Sequence, residues 1–133
     1  MFTAEDRSMS EEVELSGRIE AVAIAGGRYR AEAYHFVWEG LGRTLALSGE
    51  LRHVSGAELL EGIRQLAQER FGPMAKDVLN AWGVAATIDF GHIVFDLVDA
   101  DLLRKTPEDS LADFESRFDF QRVFEDDYFG TGA

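Results

Sequence analysis

Apolar side chains recur at helical spacing along most of this chain, and the clearest run lies between His53 and Leu103. Leu59, Leu60, Ile63, Leu66, Ala67 and Phe71 share one face of a helix, with Glu58, Glu61, Arg64, Gln65, Gln68 and Glu69 on the other. Ser55 and Glu58 form a capping box, and Val54 and Leu59 occupy the two positions of a hydrophobic staple, so this helix begins at Gly56. Glycine suits the cap after a helix and proline the first position of the next, so Gly72-Pro73 predicts a second helix over 73–82 with almost no loop between. That helix is expected to bury Met74, Val78, Leu79 and Trp82. Gly83 closes it, and Thr87 is placed to cap a third, with Asp89 in its first turn and Ile88, Ile93, Val94, Leu97 and Val98 inward.

The flanks follow the same period. Leu15, Ile19, Val22 and Ala23 mark a helix from about Ser10 to Gly26-Gly27, and Tyr34, Val37, Trp38, Leu41 and Leu45 another from Ala31 to Leu47. Thr106-Pro107-Glu108-Asp109 has the form of a cap, a proline and two first-turn acids, which predicts a helix to about Ser116. Phe120, Phe124 and Tyr128, spaced by four, suggest a terminal helix docked on the core. No β-branched segment of length alternates with period two. The expectation is one all-α domain over 1–133 of five to seven short helices crossing at steep angles, with 1–9 and 130–133 as flexible ends. Trp38, Ile63, Val78, Trp82, Ile93 and Val94 are its expected interior.

Composition sharpens this picture. Hydrophobic residues make up 46% of the 133, enough for a substantial core in one domain. No apolar run reaches the length of a membrane span, the N-terminus has no secretory pattern, and cysteine is absent, so the chain reads as cytoplasmic. A formal charge of −12 disfavours nucleic acid and anionic membranes as partners. Half of it lies between Thr106 and Ala133, where eight acids face two arginines, a net of −6.

Chemistry-bearing patterns are sparse. Asp89, His92, Asp96 and Asp99 fall on one helix face at metal-ligand spacing, and Glu32 with His35 forms the Glu-x-x-His pair of di-metal carboxylate bundles. Facing one interior, Glu32, His35, Asp89, His92 and Asp96 would suit iron, manganese or zinc. Each set lies opposite its helix's apolar face, however, where acids and histidines are ordinarily just solvated. No cysteine, nucleophile elbow or ordered serine–histidine–acid set is visible, and Gly26-Gly27 and Gly40-Leu41-Gly42 match no phosphate loop, so no catalytic residue is assigned and the chain leans away from an enzyme. A degenerate winged helix fits the order of elements over 73–105, but its recognition helix would have no basic residue with which to read DNA. The remaining pattern is acidic and aromatic: Phe118, Phe120, Phe124, Tyr128 and Phe129 interleave with Asp119, Glu125, Asp126 and Asp127. Docked rings would leave the acids as a collar for a basic partner, with Glu125, Asp126 and Asp127 its foremost contacts.

Between Tyr29 and Tyr128 the chain resembles a family of small uncharacterised proteins reported mainly from planctomycete and verrucomicrobial bacteria. The likeness rests on Glu32-Ala33-Tyr34 with Phe36-Val37, on His53 through Arg64, on Phe71-Gly72-Pro73-Met74-Ala75, on Trp82-Gly83, on Asp89-Phe90-Gly91 with Ile93-Val94-Phe95, and on Lys105-Thr106 with Glu108-Asp109-Ser110. It implies a bacterial source and a shared fold. It brings no activity, cofactor or catalytic residue with it.

Overall fold

Five α-helices carry the architecture of this protein, seen in a computed structural model that describes residues 9–48 and 54–126, with side chains over 13–46 and 54–124. They are α1 (Met9–Gly26), α2 (Ala31–Ser48), α3 (Gly56–Phe71), α4 (Ala75–Ala81) and α5 (Thr87–Asp99). Among the described residues there is no strand; Val54 and Arg104 are isolated bridge positions. The fold is all-α.

The start of α3 follows directly from its sequence. The Ser55 hydroxyl accepts from the Glu58 N–H and the Glu58 carboxylate accepts from the Ser55 N–H, both at 3.1 Å, while Val54 and Leu59 are fully buried. At its other end Gly72 takes φ +54°, a conformation L side chains avoid, and its N–H reaches the Gln68 carbonyl. A 3₁₀ turn over Gly72–Met74 then intervenes, so α4 begins at Ala75 rather than at Pro73. That shift reverses one expectation: Ala75 is buried, whereas Met74 stands 55% exposed.

Helix α2 packs most extensively on α3, and also on α1 and α5. Three neighbours cover more than one stripe of it, which is why Ala33 and Phe36 are buried along with the expected Tyr34, Val37 and Leu41. The α2–α3 contact is close. A Cβ on Gly40 would lie 2.6 Å from Ile63 Cγ1, and one on Gly62 would fall on the Thr44 hydroxyl, which donates to the Gly40 carbonyl at 2.8 Å. Two bidentate pairs flank the seam, Arg43 with Glu69 and Arg70 with Glu39. Ile63, Ile93 and Val94 are fully buried as expected, but Trp38, Val78 and Trp82 are only partly so. Trp82 completes a triad with Phe36 and Phe71 at centroid distances of 5.5–5.6 Å.

Helix α5 is the hub, touching α1, α2, α3 and the C-terminal segment, with Phe90, Ile93, Val94 and Leu97 wholly enclosed. Its N-cap is Ala86, not Thr87. The Asp89 carboxylate takes the capping role, accepting from the Ala85 and Ala86 N–H groups at 2.8 and 3.1 Å. Thr87 is buried because its hydroxyl is used inward: it donates to the Phe114 carbonyl at 2.6 Å and accepts from the Arg117 N–H at 3.1 Å.

The helix expected over 107–116 does not form. The Asp109 carboxylate accepts from both the Thr106 N–H and its hydroxyl, closing a turn, and the Asp113 carboxylate then accepts from the Ser110 N–H at the start of a 3₁₀ turn over Leu111–Phe114. Two local caps in succession bend the chain and deliver Phe114 to the core. Beyond it, a single π-type turn over Gln121–Asp126 stands where an α-helix through Tyr128 was expected. Phe114, Phe120 and Phe124 are buried, and Phe118, Phe120 and Phe124 form an aromatic cluster with centroids 5.4–5.9 Å apart. Met9, assigned to a flexible arm, opens α1; residues 1–8 and 130–133, with His53, Asp127, Tyr128 and Phe129, lie outside the described residues.

Candidate functional site

Asp99 at the end of the α5 stripe is exposed, but Asp89 and Asp96 are engaged by side chains from outside the helix. Tyr29, just before α2, donates its hydroxyl to Asp89 at 2.7 Å, and Tyr34 donates to Asp96 at 2.6 Å, so two carboxylates of α5 are engaged by two tyrosines. The rings lie 6.3 Å apart, and the Arg28 guanidinium sits over Tyr29. Burial and the bond to Asp89 push the Tyr29 hydroxyl well above its ordinary range, and burial and the bond to Asp96 do the same to Tyr34. Both phenols keep their protons at neutral pH and act as hydrogen-bond donors. These pairs clamp the α1–α2 corner to α5.

Burial works against the Asp89 charge, but the Tyr29 hydroxyl and the two amide donors outweigh it, holding the carboxyl below its usual range. A lowered native value stabilises the fold above the unfolded value of about 3.9 and is lost as pH falls through the native one. In urea titrations between about pH 7 and about pH 3, the wild type is therefore expected to lose more stability than Asp89→Asn. Equal slopes for the two proteins would remove Asp89 from the acid response.

The metal donors suggested by spacing are not brought together. Glu32 is exposed beside Arg30 at 3.3 Å, His35 lies 3.6 Å from Glu20 of α1, Asp89 and Asp96 are held by the tyrosines, and His92 is half-buried. No group of three acid or histidine ligands converges among the described residues. The winged-helix arrangement has no wing among them either, since none of them forms a strand.

The feature with binding geometry lies at the N-terminal end of α5. A cleft of about 470 Å³ opens between the approach and first turn of that helix, Ala85 to Ile88, and the strap Glu115 to Phe120. Its far wall follows from the bonds above: Thr87 pins the chain at Phe114 and Arg117, and Ser116 turns it with φ +46°. Glu115 and Asp119 supply carboxylates; Ile88, Phe118 and Phe120 supply apolar surface; among the described residues no lysine or arginine lines it. Arg117 is directed elsewhere, its guanidinium donating to the Asp113 carbonyl at 2.6 Å.

Phe118, Asp119 and Phe120 belong to the acidic-aromatic pattern legible in sequence, whereas Glu115 and Ile88 join them only through the docking of the strap. Of the three acids first favoured, Asp127 lies outside the described residues, and Glu125 and Asp126 are described in backbone alone. Among the described residues no helix is long and apolar enough to cross a membrane. Comparison with protein-family models, curated proteins and solved structures gives no match.

Proposed function

We propose that this chain is a small protein-interaction module of the bacterial cytoplasm whose acidic C-terminal face engages a basic protein partner. The observation that carries this reading is the cleft beside α5, in which carboxylates and aromatic side chains meet with no lysine or arginine among the described residues that line it. The excess of eight acids over two arginines after Thr106 extends the same sign of charge along the chain through Glu125, Asp126 and Asp127. The absence of cysteine supports a reducing compartment, and the resemblance to planctomycete and verrucomicrobial proteins supports a bacterial source. Long-range attraction of this kind accelerates encounter with a basic surface and repels nucleic acid and anionic lipid.

The test is binding of a lysine-rich peptide to the full chain, followed by calorimetry at rising salt. Affinity is expected to weaken as the Debye length contracts to about 8 Å at physiological ionic strength, and the double reversal Glu115→Lys with Asp119→Lys is expected to abolish binding while the helical circular dichroism persists. Undiminished binding by the folded double variant would reduce the acidic face to a solubilising surface.

A further inference from the structure

The cleft beside α5 has two kinds of wall, and their combination narrows what fits it. Ala85, Ala86, Ile88 and Phe118 offer apolar contact, while Glu115 and Asp119 stand on the strap opposite. The Glu115 carboxylate makes no hydrogen bond or ion pair among the described residues. Among the described residues the Asp119 carboxylate accepts through Oδ1 alone, from the Arg122 N–H at 3.0 Å. A helix N-terminus ordinarily attracts anions, but here the Asp89 carboxylate already caps the amides of Ala85 and Ala86. An anionic ligand would therefore meet two carboxylates, amides that are already capped and, among the described residues, no lysine or arginine. A short cation such as ammonium would leave the apolar wall unused.

What matches both walls is a cationic head on a long apolar stem, the form of an arginine or lysine side chain. Arginine has two further advantages: its planar fork engages carboxylates through paired N–H bonds, and it stacks on aromatic rings better than an ammonium does. Phe118 is half-buried at the cleft, braced by Phe120 and Phe124 at 5.8 and 5.9 Å, so its position is fixed in advance of binding. We propose that the cleft is a socket for one arginine side chain of the basic partner, with Glu115 and Asp119 holding the guanidinium and Phe118 stacking against it. This rests on the interaction reading above and adds to it the identity of the anchoring side chain.

The experiment uses the full chain and three capped lysine-rich peptides that are identical except for a central arginine, lysine or citrulline. The arginine peptide is expected to bind roughly fivefold tighter than the lysine peptide, the scale of one cation–π contact, and citrulline, which has lost the charge, weakest. Phe118→Leu keeps an apolar side chain in the cleft and is expected to weaken the arginine peptide more than the lysine peptide, erasing the preference for arginine. Glu115→Gln, at a carboxylate with no partner among the described residues, is expected to weaken the arginine peptide more than the lysine one. Equal affinity for arginine and lysine peptides, or a preference that survives in Phe118→Leu, overturns the socket while leaving the acidic module intact. Failure of all three peptides to bind overturns both.

Discussion

Phe114→Ala is expected to destabilise this protein by about 3–5 kcal/mol, the range for truncating a fully buried aromatic ring. The ring closes the strap onto the core. Its Cβ and Cγ lie 2.8 Å from where a Cβ on Gly91 would be, and its edge is 3.2–3.3 Å from the same point on Gly56, so two helices present glycine to receive it. Without the ring those two glycines line a void that neighbouring backbone is poorly placed to fill. The Thr87 bonds to the Phe114 carbonyl and the Arg117 amide are backbone contacts that survive in principle, yet they would hold a strap with no anchor. Thermal unfolding should show a midpoint lower by on the order of 10–20 °C. The cleft, whose far wall is that strap, should lose peptide binding at temperatures where the variant is still folded. A variant within about 1 kcal/mol of wild type would show that the strap is held by something other than this ring.

The second large effect is at the α2–α3 seam. Ile63→Ala is expected to cost about 2–5 kcal/mol, because its side chain is fully enclosed where the two helices approach most closely. The geometry adds a sharper expectation. Gly40→Ala alone would drive a methyl group to 2.6 Å from Ile63 Cγ1, an overpacking cost of about 1–3 kcal/mol set against about 1 kcal/mol gained from helix propensity. In the Ile63→Ala background that Cγ1 is gone, and the nearest remaining Ile63 atoms are Cα at 3.6 Å and Cβ at 3.7 Å, ordinary contact distances. The double variant should therefore be more stable than the sum of the singles implies, with a coupling of about 0.5–3 kcal/mol in denaturant titrations. Strict additivity would mean the seam relaxes around either change, and that Gly40 is not there to make room for Ile63.

Local signals in this sequence were reliable where a single helix end or face decided the outcome. The α3 capping box, the buried Val54 and Leu59, the limits of α1 and α2 and the docking of Phe120 and Phe124 were all legible, because each depends on residues a few positions apart. The failures share a different origin. Thr87 has the composition of a cap, yet a strap 27 residues later offers its hydroxyl a buried acceptor, and Asp89 is left to cap the helix. Pro107-Glu108-Asp109 has the composition of a helix start, yet Phe114 must reach Gly91, and a tight turn accomplishes that where a helix would carry it away.

Asp89 and Asp96 make the same point for the candidate site. On α5 alone they read as a ligand stripe, since helical spacing shows only which residues share a face and not what faces them. The tyrosines that engage them are 60 and 62 residues away in the chain. By itself, then, the sequence determined the all-α class, most helix limits, the amphipathic faces and the acidity of the C-terminal segment, all set by backbone propensity and charge over short distances. Only the tertiary structure decided which carboxylates are engaged and which, as at Glu115, are exposed and make no bond among the described residues. That choice is made by long-range packing, where one buried ring and one hydroxyl fix a strap against a helix and leave a cleft between them.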